Sequence, residues 1–171
     1  MQSPLSSLLF FSVCSREARV TRSGLRGSLH DLTEPRHMIS STSDSPRYRT
    51  RFSDGTHEGI ADTTADKGGN NGGFRPHGLL EAALATCVNM AVQMYADAHA
   101  IPLAGVTTMV KLDRSVPYET VFQYEVEFEG DLTREQKHKL SVVADACPVR
   151  RTLSKTIRFE SGESVSRATG A

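Results

Sequence analysis

The chain has 171 residues, 38% of them hydrophobic, and its 20 Lys and Arg balance its 20 Asp and Glu to a formal net charge of zero. That length suits one domain, or one domain with a tail, and the apolar share is too large for a disordered chain. Neutrality argues against a dedicated nucleic-acid binder, and the lack of an uninterrupted run of about 18 apolar residues argues against a membrane span. Three cysteines without close spacing and six scattered histidines exclude a disulfide framework and the usual zinc patterns, so no metal or cofactor is expected. A cytoplasmic globular protein is the expectation, with neither nucleic acid nor membrane as partner.

Residues 1–53 carry eight Arg against four acids, whereas residues 54–171 carry 12 bases against 16 acids. The first 45 residues read as an extension, disordered or transit-like, rich in Ser and Arg around the short apolar run Leu8–Phe11. Glu17, Asp31 and Glu34 interrupt it and its charges follow the apolar run, which favours disorder. Met38 is an alternative start, and Cys14 is given no role. The folded domain is expected over residues 46–161, with a flexible tail over 162–171.

Tyr48 to Phe52 reads as a short strand, Ser53-Asp54-Gly55 as a turn, and Thr56 to Ala61 as the returning arm of a hairpin. Residues 62–75 form a Gly- and Asn-rich loop without the Lys-Ser/Thr ending of a phosphate-binding loop. Pro76 then opens a long helix to about Ala100, since proline suits the first helical turn. Apolar residues cover most of it; Glu81, Asn89, Gln93 and Asp97 fall on one stripe, so the helix is read as the central one, with a second copy covering what one chain cannot.

Two strands follow, Val106 to Leu112 and Val121 to Glu129. In the second, Phe122, Tyr124, Val126 and Phe128 alternate with Gln123, Glu125, Glu127 and Glu129, so one face meets the core and one meets water. Thr133 and Gln136 have capping-box spacing and start a second helix, with Leu140, Val143, Ala144 and Cys147 on its apolar face and Pro148 closing it. A last strand is expected over Thr156–Phe159.

Cys87 lies midway along the first helix, about 200° around from Asn89, and Cys147 lies on the apolar face of the second. Two helices covering one sheet can bring these thiols together, either as a redox pair or as small inert core residues. At this point the residues carry a resemblance. Residues 72–87, Gly-Gly-Phe-Arg-Pro-His-Gly-Leu-Leu-Glu-Ala-Ala-Leu-Ala-Thr-Cys, resemble the cysteine-bearing helix of the OsmC/Ohr family. Residues 144–153, Ala-Asp-Ala-Cys-Pro-Val-Arg-Arg-Thr-Leu, resemble its second cysteine motif, and the match spans about residues 47–160.

The resemblance implies an α+β fold with curved antiparallel sheets around two central helices in an intertwined homodimer, with the active sites at the subunit interface. It implies reduction of organic hydroperoxides, with Cys87 as the attacking thiol, Cys147 as the resolving thiol, and a dithiol such as a lipoylated protein as reductant. In the peroxidase branches an Arg from the N-terminal hairpin activates the thiolate and a Glu after the helix-leading Pro holds that Arg. Here His77 and Gly78 follow Pro76, so that Glu is absent and Glu81 is the nearest acid. The arginine is sought among Arg47, Arg49 and Arg51, with Arg49 and Arg51 on one face of a strand. Arg151 matches the arginine of the second motif, and His77 is a candidate contact to substrate or thiolate. Two alternatives stay open: an OsmC-like dimer that binds a small apolar or electrophilic ligand without peroxidase activity, and a dimer with inert core thiols.

Overall fold

The structure is a computed structural model and describes residues 38–162. The expected extension up to residue 37, Cys14 within it, and the tail from residue 163 lie outside the described residues. Strands β1 (Ser40–Ser43), β2 (Thr50–Ser53) and β3 (Glu58–Ala61) form an antiparallel sheet in that order. A long helix α1 (Pro76–Ala98) leads to the antiparallel pair β4 (Gly105–Asp113) and β5 (Val121–Glu129). Helices α2 (Arg134–Asp145) and α3 (Pro148–Leu153) complete the fold. The mixed α+β architecture with antiparallel sheets follows the expectation.

Four positions one helical turn apart, Leu84, Val88, Val92 and Ala96, are fully buried and pack with Leu140 and Ala144 of α2 and with Cys147. The inward phase of β5, Phe122 to Phe128, packs on this cluster, while Gln123, Glu125, Glu127 and Glu129 stay exposed. Thr133 caps α2 as its spacing predicts: its side chain accepts the Gln136 N–H, and the Gln136 side chain accepts the Thr133 N–H at 2.8 Å.

The polar stripe of α1 does not simply face water. Glu81 Oε1 accepts the Leu112 N–H at 2.7 Å, and Asn89 Oδ1 accepts the Thr108 hydroxyl at 2.6 Å. Both bonds tie the helix to β4, and the first satisfies an edge-strand donor that β5 does not reach. By length and composition α1 also passes as a membrane span, with a mean hydropathy of 1.3 over its most apolar stretch. The criterion of an uninterrupted apolar run passes over such a helix; its buried stripe and its bonds to β4 fit a core helix.

Buried Asp62 organises the Gly-rich loop. Its carboxylate accepts N–H groups from Thr63, Asn70 and Gly72 at 2.7, 3.1 and 2.9 Å. The loop folds back on β3 through the Ala61–Phe74 bridge, which seats the start of α1 beside the end of β3. A Cβ at Gly69 would meet the Thr63 carbonyl oxygen at 2.2 Å, and one at Gly73 the Ile60 carbonyl oxygen at 2.5 Å, so this approach admits only glycine.

Four local expectations are corrected. The β2 strand starts at Thr50 and not Tyr48, because Tyr48 takes φ 73°, which strand pairing does not allow. The helix α1 stops at Ala98, ahead of Ala100 at φ 49°. Pro148 opens helix α3 and does not merely close α2, which has already ended at Asp145. The segment Thr156–Phe159 forms no strand with any partner among the described residues, and Ile157 and Phe159 are exposed. Strand β1, polar throughout and so without an alternation to read, lies in residues expected as the end of the extension, yet it pairs with β2.

Removing the Leu140 side chain from the core should cost about 2–5 kcal/mol. Urea unfolding of Leu140→Ala against the exposed control Val142→Ala, expected to lie within about 0.5 kcal/mol of wild type, measures it. The N–H donors around Asp62, that of Gly72 foremost, hold its carboxyl below the usual carboxylate range despite burial. A depressed folded-state pKa gives stability that is present above the unfolded value of about 3.9 and lost as pH falls through the folded one. Asp62→Asn should therefore melt lower at neutral pH and show a flatter acid limb when Tm is followed from pH 7 to 2.

Candidate functional site

Cys87 sits on α1 beside the buried stripe and is itself half-buried. Leu80, Ala83, Met90 and Met94 share its face, and Met90 and Met94 are 60% and 71% exposed. The helix thus has three sides: one buried, one bonded to β4, and one apolar but open, with Cys87 at its inner edge.

Cys147 is 1% exposed and is the N-cap of α3. The sequence placed it at the unfavourable C-terminal end of a helix; the break at Ala146 turns that around. Pro148 lacks an N–H, so Val149 and Arg150 supply the first free donors of α3. The Val149 N–H donates to Cys87 Sγ at 3.5 Å, and the Arg150 N–H donates to Cys147 Sγ at 3.4 Å. One helical turn therefore holds both sulfurs. Burial pushes the Cys147 thiol above its ordinary pKa; the adjacent Cys87 thiol adds to the rise and the Arg150 and Val149 N–H groups oppose it. The two thiols are neighbours in space.

Two residues beside Cys147, Tyr124 and Asp145, escaped the sequence reading of the site, and both meet Arg150. The Tyr124 hydroxyl donates to Asp145 Oδ1. The Arg150 guanidinium donates to the Asp145 carbonyl, lies 3.9 Å from its carboxylate, and sits over the Tyr124 ring at 5.9 Å. Burial, then the Asp145 carboxylate, raises the Tyr124 pKa. A signal did exist: Tyr124 is the single hydroxyl in the inward phase of β5, and a buried hydroxyl requires a partner.

The other candidates lie apart from the thiols within one chain. Arg49 Nε is 3.4 Å from Asp44, and Arg51 bridges Glu58 at 2.9 Å and Asp44 at 3.5 Å. Arg51 is thus bonded within the N-terminal sheet, while Arg49, which precedes β2, keeps its Nε buried beside Asp44 without a hydrogen-bond partner among the described residues. His77 Nε2 accepts from Arg114 at 3.0 Å, and ten residues of unbroken helix, about 15 Å, separate it from Cys87. Arg151 is exposed, and its backbone N–H donates to the Cys147 carbonyl at 3.1 Å. None of these four side chains bonds either sulfur among the described residues. Glu81, the nearest acid to the vacant glutamate position, is occupied by the Leu112 N–H.

No group of three or more metal-ligating side chains converges among the described residues. A groove of about 500 Å³ is lined by Met109, Val110, Lys111, Gln123, Tyr124 and Glu125, and neither cysteine borders it.

Solved structures share this fold. The chain aligns with a protein from Psychrobacter arcticus named for osmotic stress induction and a detoxification response, at 24% identity and TM-score 0.58, over 67% of this chain and 85% of that one. An OsmC-like protein from Mycoplasma pneumoniae aligns at 18% identity and TM-score 0.58, over 68% and 86%. An organic hydroperoxide resistance protein from Legionella pneumophila aligns at 19% identity and TM-score 0.52, over 68% and 88%. No curated protein sequence matches the chain. The family model described as OsmC-like protein matches residues 68–162, which hold the later part of the Gly-rich loop, both cysteine-bearing segments and the sheet between them. The chain belongs to the OsmC-like protein family.

Proposed function

We propose that the protein is a thiol-dependent peroxidase that reduces organic hydroperoxides through Cys87 and Cys147. The observation that carries this reading is the pair of adjacent sulfurs, each accepting an N–H from the first turn of α3. The Cys87 thiolate attacks the distal peroxide oxygen, the O–O bond breaks, and the alcohol leaves with a proton while Cys87 becomes a sulfenic acid. The Cys147 thiol then condenses with the sulfenic acid, forming the disulfide and releasing water. A dithiol of the lipoyl kind restores both thiols by two exchanges and leaves as its own disulfide. Burial of Cys147 keeps it protonated at neutral pH, which protects it from peroxide until Cys87 has reacted.

The active unit in this reading is a homodimer. The open apolar side of α1 with Leu80, Met90 and Met94 is the surface a second copy would cover, bringing Arg49 or Arg51 of one copy toward Cys87 of the other. Arg151 and His77 remain secondary candidates for that shell. The non-peroxidatic ligand-binding dimer is the second reading, favoured by the occupation of Arg49 and Arg51 by Asp44 and Glu58 and by His77 in place of the family Glu.

Stopped-flow oxidation of the reduced protein tests the two. The peroxidase should lose two thiols, faster with an alkyl hydroperoxide than with hydrogen peroxide. Cys87→Ser should lose this reaction, Cys147→Ser should stop at the sulfenic acid, and Arg49→Ala or Arg51→Ala should slow it about a hundredfold. Slow oxidation indifferent to the peroxide would leave the ligand-binding dimer. In the Cys14→Ser/Cys87→Ser protein, thiolate absorbance at 240 nm should give Cys147 a midpoint above about 8.5, returning to that value in urea.

A further inference from the structure

The cluster of Tyr124, Asp145 and Arg150 has no part in the scheme above, yet it brackets the segment that contains Cys147. Its members come from three elements: the centre of β5, the last residue of α2 and the first turn of α3. Every link runs to Asp145 or to the Tyr124 ring, so the three close a ring around residues 145–150. That segment carries Cys147 and also both N–H groups that touch the sulfurs. A phenylalanine at position 124 would suit the apolar phase of β5 formed by Phe122, Val126 and Phe128, and would avoid the cost of taking a hydroxyl out of water. The Arg150–Asp145 pair is mostly exposed and adds little alone, so the hydroxyl–carboxylate bond is the strong link.

We propose that Tyr124, Asp145 and Arg150 form a clamp that positions Cys147 for closure of the Cys87–Cys147 disulfide. The two sulfurs must pass from contact to about 2.05 Å, and a segment fixed on β5 holds the resolving sulfur in line with its target. Orientation of this kind accelerates the closing step and leaves the preceding attack on peroxide alone. These are positioning residues: none of them donates to or accepts from either sulfur through its side chain. The proposal rests on the redox-pair reading for its biological meaning, but the closing step can be driven without peroxide. A diazene dicarboxamide such as diamide takes two electrons and two protons from the thiol pair, leaving the disulfide and the hydrazine.

The test measures both steps in the full-length protein as Tyr124→Phe, Asp145→Ala and Asp145→Asn. With an alkyl hydroperoxide, sulfenic acid formation at Cys87 should stay within about twofold of wild type in all three. Disulfide closure should slow about tenfold in Tyr124→Phe and Asp145→Ala, and return to within about threefold of wild type in Asp145→Asn, which keeps the acceptor oxygen. The longer-lived sulfenic acid should raise the fraction of Cys87 found as sulfinic acid by mass spectrometry at excess peroxide. Diamide closure should show the same slowing and the same rescue. Closure at the wild-type rate in both Tyr124→Phe and Asp145→Ala overturns the clamp, as does equal slowing of both steps, which marks general loosening. Slowed diamide closure in a protein that no peroxide oxidises sustains the clamp and removes the peroxidase reading. If Tyr124→Phe does not fold, the Asp145→Ala and Asp145→Asn comparison alone decides.

Discussion

A helix of 23 residues with apolar side chains over most of its surface has to be covered from several directions, and one chain supplies only part of the cover. The stripe of Leu84, Val88, Val92 and Ala96 takes α2, at about 1.5–3 kcal/mol for each large side chain removed from water. The adjoining side is polar, and Glu81 and Asn89 spend that polarity on β4. The third side, with Met90 and Met94, stays open. Cys87 lies where the buried and open sides meet, which leaves its sulfur within reach of both Cys147 and whatever approaches the open face.

The N-terminal sheet depends on the same arrangement indirectly. Its link to α1 is the loop that Asp62 folds back on β3, and its arginines lie beside carboxylates of the same region: Arg49 Nε, 3.4 Å from Asp44, is buried without a hydrogen-bond partner among the described residues, whereas Arg51 bonds Glu58. An arginine paired in this way stays fixed in direction and fully charged. It can act on a thiolate only across a subunit contact or after exchanging its carboxylate partner, and this separates the OsmC-like fold, which the chain has, from the peroxidase activity proposed for it.

Elements whose local chemistry and tertiary surroundings agree were readable in the sequence. The alternation along β5, the capping box of Thr133 and the proline that opens α1 each fix an element without long-range information. The nearness of Cys87 and Cys147 was readable as well, because each falls on the apolar face of its helix. What could not be read depends on backbone turns or distant partners. Tyr48 and Ala100 take positive φ without being glycine. The residues Ala146-Cys147-Pro148 read equally well as one helix ending or as a second one starting. Glu81 was read as the nearest acid on the polar stripe of the helix, and its partner, the Leu112 N–H of β4, stands 31 residues away. Tyr124 fits the inward phase of β5 like its neighbours, and the partner of its hydroxyl, Asp145, lies on another element.

The reversal at Cys147 changes which backbone groups face its sulfur. At a helix C-terminus carbonyl oxygens would surround the sulfur and oppose a negative charge. As an N-cap it faces donors, and because Pro148 contributes none, the next two N–H groups divide between the two sulfurs. A thiolate accepts such bonds better than a thiol or a disulfide sulfur does, so the turn favours whichever sulfur is ionised. The order Cys-Pro-Val-Arg thereby places one backbone N–H of α3 against each sulfur.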